Sequence, residues 1–417
     1  MANKDQEEIY STNGELLTEK PTNGKHSKSQ EVEKWLTAAY DCRFNILKQK
    51  PEFRRKPTKG INFTPIDKYK LLSIKRELDS AGFSISKDGL NDILFSEFSP
   101  AVNPVKNYFT NLFPWDEETD HITDLCNTVK CKNPEQWKAY LKKWLVGVVA
   151  NVFIEDRCAN HTMLVLTGGQ GKFKTTWLEN LCPKILTNYL YTGKLNLESK
   201  DSLTLIAENL FINIDDQLKQ LHKKDENELK NLITINYVKY RRPYDPYITE
   251  YPHLCSFMGS VNGNEFLNDP TGSRRFLPFE VENIDIKEAQ KLDMDLIWAQ
   301  AFKLFEVKFK YWFNEEEIEE LNKRNSEFAM SSHEEELLQY YFNNKTPEGS
   351  FNVLKHFPPA IIQSKLETLS KLKLSSKKLG DALSKLGFKK TQKGSPPNRQ
   401  WGWEVYEKTE EEISKQQ

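Results

Sequence analysis

The chain has few of the features that mark secreted, zinc-binding or membrane-spanning proteins. Its six cysteines are scattered, with no C-x-x-C pair and no cysteine–histidine cluster of zinc-ligand spacing, so we expect reduced thiols. No apolar run reaches the roughly 18 residues that a transmembrane helix needs. Residues 1–30 are polar and lack the apolar segment of a signal peptide. We therefore expect a cytoplasmic location and no membrane partner.

Positive and negative charges are nearly balanced over the whole chain, but the positive charges are unevenly distributed. The net charge is −1, which disfavours a protein that coats nucleic acid uniformly. Residues 355–399, however, contain eleven Lys and Arg against only Glu367 and Asp381, a local charge of +9. Such a patch predicts salt-dependent binding of a polyanion. The seven histidines show no nucleophilic triad, and no paired-carboxylate hydrolase pattern is present.

An apolar run, Leu164 to Leu166, leads into a glycine-rich turn that ends in Lys174 and Thr175. This pattern predicts a phosphate-binding loop, in which backbone N–H groups bind phosphate, the lysine reaches the β- and γ-phosphates and the threonine holds Mg²⁺. Phe173 stands where the usual pattern has its second glycine, and a glycine-rich turn before an ordinary helix is the alternative. The predicted nucleotide-binding residues are Gly168, Gly169, Gln170, Gly171, Lys172, Phe173, Lys174, Thr175 and Thr176.

Polar residues follow two further strand-like runs. A largely β-branched and aromatic run from Leu210 ends in Asp215 and Asp216, and a second run from Leu254 leads to Asn262. In P-loop NTPases the first acid of such a strand binds Mg²⁺ through water and the second orients the attacking water. We predict these roles for the two aspartates, and γ-phosphate sensing for Asn262. A solvated turn is the alternative for the aspartate pair.

A tight turn at residues 269–276 presents Arg274 and Arg275. A guanidinium that reaches across a subunit boundary would stabilise the charge that develops on a transferred phosphoryl group. We predict this role for one of the two arginines, with a structural ion pair as the alternative. Together the predicted catalytic residues are Lys174, Asp215, Asp216, Asn262, Arg274 and Arg275.

With these motifs in order, residues 102–281 resemble the virulence-associated protein E family of P-loop NTPases from phages and mobile elements. The family is related in motif order to superfamily 3 helicases. The resemblance implies an α/β P-loop core that hydrolyses ATP with Mg²⁺, a homo-oligomer in the form of a hexameric ring, and single-stranded DNA in its channel. It also leaves room for a separate primase as partner. The segments that carry it besides the motifs above are 103–105, 112–116, 230–234, 240–244 and 266–268.

Two segments are candidates for DNA contacts. Residues 237–244 interleave basic and aromatic residues, and by similarity to the helicases Lys239, Arg241 and Arg242 would contact the DNA backbone. The alternatives are a contact with a neighbour's nucleotide and plain surface charge. Near the carboxyl end, a helix begun by Ser375 or Ser376 is followed by a hairpin pattern at 388–406, which suggests a winged-helix module that binds DNA through Lys377 and Lys378. A capping subdomain with a solvated basic face is the alternative.

These patterns predict an α/β core flanked by smaller parts. We expect a disordered tail (1–30), a helical N-terminal domain (31–155), the P-loop core (156–285), a helical connector (286–335), a basic winged-helix-like domain (336–408) and a tail (409–417). Within the N-terminal domain, Asn133 and Pro134 should start a long helix whose aromatic stripe packs in the core.

The predicted function is that of an ATP-driven DNA helicase or translocase in the replication of a phage or mobile element. The principal alternative is a nucleotide-switched DNA-binding regulator or defence component with little turnover, for which Phe173 and Asp216 leave room. A metabolic nucleotide kinase is disfavoured by the arginine turn and the basic carboxyl end.

Overall fold

The computed structural model describes residues 28–56, 63–156, 158, 160–242, 246–268, 272–345, 353–394 and 399–414. Most of the predicted tail at 1–30 and residues 415–417 of the second tail lie outside these ranges. Over these residues the fold is mixed α/β and contains four sheets. None of the helices in the described ranges is long and apolar enough to cross a membrane.

The N-terminal part forms a small four-stranded sheet with three helices. The order of strands across the sheet is β3-β2-β1-β4, with β1 and β2 antiparallel and β1 and β4 parallel. The elements are α1 (Lys28–Ala39), β1 (Tyr40–Asn45), β2 (Lys50–Arg55), β3 (Thr64–Pro65), α2 (Lys68–Ser80), α3 (Lys87–Leu94) and β4 (Ala101–Val102).

The predicted helical N-terminal domain (31–155) therefore contains strands as well as helices in this part of the chain. The strands were missed because charged side chains interrupt their apolar alternation. Arg43 lies directly opposite Glu52 and Arg54 directly opposite Asp41, and each arginine forms an ion pair with its cross-strand partner, at 2.7 and 2.8 Å. These cross-strand ion pairs add to the hydrophobic cluster of this part, to which Tyr40 belongs and against which Phe53 packs.

The next elements lead into the main core. They are α4 (Pro104–Thr110), α5 (His121–Asn127), β5 (Val129–Cys131) and α6 (Pro134–Phe153). As predicted, α6 follows Asn133 and has proline in its first turn, although the Asn133 side chain makes no capping hydrogen bond. Its aromatic stripe is buried, with Trp137 packed edge-on against Phe279 at 5.0 Å between ring centroids. The predicted core packing of this stripe is confirmed. The hydrophobic cluster that contains the stripe includes residues on both sides of the domain boundary predicted at residues 155 and 156.

A six-stranded sheet dominates the middle of the chain, with strand order β5-β12-β6-β11-β8-β7. All pairings are parallel except that of β5 with β12. In sequence, a separate antiparallel pair, β9 and β10, lies between β8 and β11 and forms a sheet of its own. The elements are β6 (Met163–Thr167), α7 (Lys174–Asn180), β7 (Leu190–Thr192), α8 (Lys200–Glu208), β8 (Phe211–Asp215), α9 (Lys223–Thr234), β9 (Tyr237–Tyr240), β10 (Thr249–Pro252), β11 (Ser256–Ser260) and β12 (Phe276–Ile284), with short 3₁₀ helices at Lys184–Tyr189, Leu218–Gln220 and Ser273–Arg275.

Both faces of this sheet are buried, which explains its continuous apolar strands. Along β6, Leu164 and Leu166 belong to one hydrophobic cluster with α6, whereas Met163 and Val165 belong to a second cluster with α9. Helices therefore cover both faces and leave the edge formed by the strands' carboxyl ends open. In sheets of this kind that edge is where ligands bind.

A helical segment and a mixed α/β segment complete the fold. After β12 come α10 (Ile286–Lys291), α11 (Met294–Glu306), α12 (Glu315–Asn325) and a 3₁₀ turn (Ser326–Phe328), as expected for the connector. The C-terminal part has its own hydrophobic cluster, and β16 pairs antiparallel with β13, β14 and β15. It consists of α13 (His333–Tyr341), β13 (Phe342–Asn343), β14 (Leu354–Phe357), α14 (Pro359–Ser370), α15 (Ser376–Lys385), β15 (Lys389–Lys393), β16 (Gln400–Glu407) and α16 (Glu410–Ser414).

Arg242, just after β9, joins the loop end of the β9–β10 pair to the N-terminal sheet. Its guanidinium forms an ion pair with Glu208 at 2.6 Å and donates to the backbone oxygens of Leu47 and Lys48 at 3.0 and 3.3 Å. Nε donates to the Tyr251 hydroxyl at 3.1 Å. Because these contacts use both terminal nitrogens and Nε, the Arg242 side chain is held within the fold in this conformation, and its contact with DNA stays a prediction.

Replacement of Arg242 by alanine should destabilise the fold by about 2–4 kcal/mol, because it leaves the half-buried Glu208 carboxylate with only the more distant Lys48 ammonium. Lys239→Ala is the matched control, since Lys239 is exposed and its ion pair with Glu250 lies at the surface, and it should change stability little. Urea unfolding followed by tryptophan fluorescence measures both. Equal stability of the two variants would contradict the structural role of Arg242.

Candidate functional site

The loop between β6 and α7 has the backbone conformation that its glycines allow. Gly168 has φ +127°, and a Cβ there would lie 2.7 Å from the backbone oxygen of Val281, so no other residue fits. Gly171 has φ +78° with nothing within 4 Å of a Cβ position. Reciprocal backbone hydrogen bonds between Gly168 and Gly263, at 3.0 and 3.1 Å, fix the start of the loop to the segment after β11.

Phe173, the departure from the usual loop pattern, lies in the left-handed region with φ +56° and ψ +23°. A non-glycine residue there costs about 1–2 kcal/mol of backbone strain. Its side chain is 55% exposed. The loop therefore has the conformation that a glycine would adopt, but it carries an exposed aromatic ring at the start of α7.

Lys174 is the first residue of α7, and its ammonium lies inside the loop. Nζ donates to the backbone oxygens of Gly168 and Gly169, at 3.1 and 2.7 Å, and to Oδ1 of Asn262 at 3.3 Å. Burial lowers the pKa of Lys174 from its ordinary value, and the nearby Asp216 carboxylate opposes that shift. The loop thus surrounds a buried ammonium group whose present acceptors are mainly carbonyl oxygens.

Asp215, at the end of β8, accepts two hydroxyl hydrogen bonds on one oxygen. Thr175 Oγ1 donates to Oδ1 at 2.9 Å and Ser260 Oγ donates to the same atom at 2.5 Å. The two hydroxyl oxygens are 3.1 Å apart. Three oxygen-bearing side chains therefore converge at the carboxyl ends of β8 and β11 and at the start of α7.

Ser260 was not among the predicted site residues. It lies directly opposite Asp215 in the parallel pairing of β11 with β8. A sequence signal existed, because Ser260 ends an apolar strand, but only the strand register shows that its hydroxyl reaches Asp215. The prediction looked for an amide beyond the strand and therefore chose Asn262 alone.

Asp216 and Asn262 form a second pair beside the first. The Asn262 amide nitrogen donates to both carboxylate oxygens of Asp216, each at 2.9 Å, while its oxygen accepts from Lys174. Asp216 has φ +50°, so the chain turns sharply after β8, and its backbone N–H donates to the Ser260 oxygen at 3.2 Å. Asn262 thus links the loop lysine to the second aspartate.

The donor set suits Mg²⁺, which prefers oxygen ligands and is usually held by one or two carboxylates together with phosphate oxygens. Thr175 and Asp215, the predicted metal ligands, are in contact and joined by Ser260. Over the described residues there is no group of three or more His, Cys, Asp or Glu side chains that could hold a metal ion. A cation here would need oxygens from a bound ligand to complete its coordination.

The other predicted loop residues differ in their surroundings. Lys172 does not point into the loop, because its ammonium donates to the backbone oxygens of Val281 and Glu282, at 3.2 and 2.7 Å. Gly169 and Gln170 are exposed at the turn, and Thr176 is half-buried in the first turn of α7. Lys172 thus ties the loop to the end of β12.

Arg274 and Arg275 lie far from this edge of the sheet. They precede Phe276, which pairs with Met163 at the start of β6, so they lie at the amino ends of the strands, opposite Lys174. Arg274 is exposed, and Nε of the half-buried Arg275 has no hydrogen-bond partner among the described residues. Neither arginine forms an ion pair with a described residue. Burial, and to a smaller degree Arg274, lowers the pKa of Arg275.

The remaining candidates for DNA contact are exposed and lie on other elements than the loop. Arg241 is exposed beside the end of β9, and Lys239 forms a surface ion pair with Glu250 at 2.5 Å. Lys377 and Lys378 are exposed in the first turn of α15, where Ser375 caps the helix. The structure brings Lys174, Thr175, Asp215, Asp216 and Asn262 together, and it leaves the arginines and the DNA candidates at separate places.

Comparison with known proteins is informative about the family and the fold. No curated protein matches the chain. The apo structure of the NrS-1 C-terminal region is similar with a TM-score of 0.50 at 13% identity, covering 92% of this chain and 99% of that chain. A second apo structure of that region gives a TM-score of 0.48 at 13% identity, covering 90% of this chain and 98% of that chain. The model of the virulence-associated protein E-like domain matches residues 110–330, more than half of the chain. The chain therefore belongs to the virulence-associated protein E-like family.

Proposed function

We propose that the chain is a Mg²⁺-dependent P-loop ATPase that acts as a superfamily 3-like DNA helicase or translocase in the replication of a phage or mobile element. One observation carries the proposal: a buried lysine, a hydroxyl, two aspartates and an asparagine converge where β6, β8 and β11 end. This is the edge of a parallel sheet at which phosphate and Mg²⁺ bind in P-loop enzymes.

Each residue of the cluster has a role in this account. The Lys174 ammonium would exchange the carbonyl oxygens of Gly168 and Gly169 for phosphate oxygens, since charge-assisted bonds to phosphate are stronger than those to neutral carbonyls. Thr175 and Asp215 would hold Mg²⁺, which would neutralise charge on the transferred phosphoryl group. Ser260 would keep the Asp215 carboxylate oriented toward the metal.

Asp216 and Asn262 would hold the attacking water and the γ-phosphate in this account. Asp216 would orient that water, and Asn262 would contact the γ-phosphate. Asn262 now occupies both oxygens of Asp216, so arrival of a γ-phosphate would compete for the amide and release the carboxylate. The arrangement links occupancy of the loop to the availability of Asp216.

The proposed site also needs a second subunit. Arg274 and Arg275 lie at the edge of the sheet opposite Lys174 and cannot reach the phosphates of their own subunit. A head-to-tail assembly would bring them to a neighbour's loop, as in a closed ring. The hexameric size of the ring and its central channel rest on the family's resemblance to superfamily 3 helicases, as does a separate primase.

Two exposed parts of the molecule would contact DNA. The β9–β10 pair lies in sequence between β8 and β11, where the helicases carry their channel hairpin, and Lys239 and Arg241 are its exposed basic residues. In the C-terminal part the order of elements is helix, two strands, two helices, a hairpin and a short final helix, which supports a winged-helix-like domain. Lys377 and Lys378 lie on its third helix.

The rival proposal, a nucleotide-switched DNA-binding regulator or defence component, has its own support. Phe173 and Asp216 are both held at positive φ beside the loop, and Asp216 is shorter than the glutamate that many P-loop ATPases carry there. Such a switch would assemble on DNA with a non-hydrolysable ATP analogue yet open no duplex. An unwinding assay with ATP and with the analogue separates the two proposals.

Hydrolysis of ATP should depend on Lys174 and should increase with single-stranded DNA. Lys174→Ala removes the charge that stabilises the transferred phosphoryl group, so we expect the rate to fall at least about 100-fold. Lys172→Ala, which loses only contacts with β12, should cause a much smaller loss. Steady-state phosphate release, measured with and without DNA, checks both. Equal rates for the Lys174 and Lys172 variants would contradict the proposal, and nucleotide binding without turnover would favour the switch.

Two inactive variants should restore activity to each other. Lys174→Ala lacks a functional loop but keeps both arginines. The double variant Arg274→Ala, Arg275→Ala keeps the loop but lacks both arginines. In randomly mixed rings about one interface in four combines an intact loop with intact arginines, so the mixture should recover up to about a quarter of the normal rate. Phosphate release by the mixture and by each variant alone is the measurement. A mixture no more active than its components, after subunit exchange is shown by mass, would contradict a shared site.

A further inference from the structure

The C-terminal hairpin exposes a tryptophan. Trp401 in β16 has 57% of its surface accessible, whereas Trp403, two residues on, is 5% accessible within the hydrophobic cluster of this part. Residues two apart on a strand point to the same face. The face that is buried at Trp403 therefore continues past the cluster and ends in an indole that nothing covers fully.

A lysine of the neighbouring strand lies beside both rings. Lys390 is paired with Trp403, and Gln392 with Trp401, in the β15–β16 register. The Lys390 ammonium lies 5.6 Å from the Trp401 ring centroid and 5.8 Å from that of Trp403. Each distance is within the range of a cation–π contact. The indole of Trp401 is thus held next to an exposed positive charge.

The hairpin that carries Trp401 is basic. Residues 388–405 contain Lys389, Lys390, Lys393 and Arg399 but only one acid, Glu404. All four basic residues are exposed, and Lys390 is on the Trp401 face of the hairpin, whereas Lys389 and Lys393 pair with Glu404 and Gln400 on the other face. A single exposed aromatic ring among charged residues offers too little apolar surface to bind an apolar protein partner. The exposed indole and the positive charge beside it suit a ligand in which a flat aromatic group is linked to an anion.

An unpaired nucleotide has this chemistry. Its base offers a flat face for stacking and its phosphate offers the negative charge, whereas the base faces inside a duplex are covered by neighbouring base pairs. We infer that Trp401 and Lys390 form a binding site for single-stranded nucleic acid, in which the indole stacks on a base and the ammonium contacts a phosphate. The inference deepens the proposed DNA-binding function and rests on it.

The test measures binding of a fluorescein-labelled oligothymidylate of about 20 nucleotides to the full chain without ATP, by anisotropy, at low and moderate salt. Trp401→Ala should weaken binding about tenfold and leave the salt dependence unchanged, because stacking releases no counterions. Lys390→Ala should lower the slope of log Kd against log salt by about 0.7, as expected for one lost phosphate contact. A blunt duplex should be affected less by Trp401→Ala.

Two further variants keep the result specific. Trp401→Phe retains a stacking ring, so its affinity should stay near normal while the quenching of tryptophan emission by the oligonucleotide decreases. Trp312→Ala is the matched control, since Trp312 is 44% exposed between α11 and α12, outside the C-terminal part. Its affinity and quenching should match those of the unaltered protein.

The outcomes separate this inference from the proposed ATPase. Unchanged affinity of Trp401→Ala, or a loss equal to that of Trp312→Ala, overturns the inference and leaves hydrolysis untouched. Absence of any oligonucleotide binding by the unaltered protein overturns the inference and the DNA part of the proposed function together. Binding that depends on Trp401 in a protein without ATP hydrolysis supports the inference and sinks only the motor.

Discussion

The parallel pairing of β11 with both β6 and β8 is the constraint on which the candidate site depends. Because β11 is the middle strand of the three, residues at its end can contact groups that follow either neighbour. Ser260 reaches Asp215 at the end of β8, and Asn262 reaches both Lys174 after β6 and Asp216 after β8. A shift of one residue in this register would turn Ser260 to the other face of the sheet. The contacts among the five polar residues therefore follow from the two pairings of β11.

Burial on both faces makes that register firm, and strain is concentrated where the strands end. Residues of β6 alternate between two hydrophobic clusters, so a slip would move apolar side chains out of matching surroundings on both sides. Beyond the strands, Phe173 and Asp216 have positive φ, which the rest of the fold must stabilise. A firm sheet with strained loops at one edge is the arrangement expected of a binding site. Arg242 adds a second link, from the inserted β9–β10 pair to the N-terminal sheet.

Much of the core was predictable from the sequence, and the reasons are physical. The strands that end at Thr167 and Asp215 are largely apolar before those residues, as a strand buried on both faces requires, with Asn213 as the exception, and the polar residues at their ends could be placed at one edge. The aromatic stripe of α6 indicated its buried face. The N-terminal strands could not be predicted in this way, because cross-strand ion pairs such as Arg43 with Glu52 replace apolar alternation. The contact of Ser260 with Asp215 depends on strand register, and the contacts of Arg242 are with residues distant in sequence. Neither can be predicted from a local sequence pattern.

Binding of a non-hydrolysable ATP analogue, measured by calorimetry with and without Mg²⁺, tests most directly the claim that the cluster is a metal–nucleotide site. The account predicts that Mg²⁺ tightens binding at least about tenfold, and that Ser260→Ala loses most of this gain while its affinity without Mg²⁺ is unchanged, since outer-shell partners of metal ligands contribute about 10- to 100-fold. Equal affinity with and without Mg²⁺, or an analogue that does not bind at all, would contradict it.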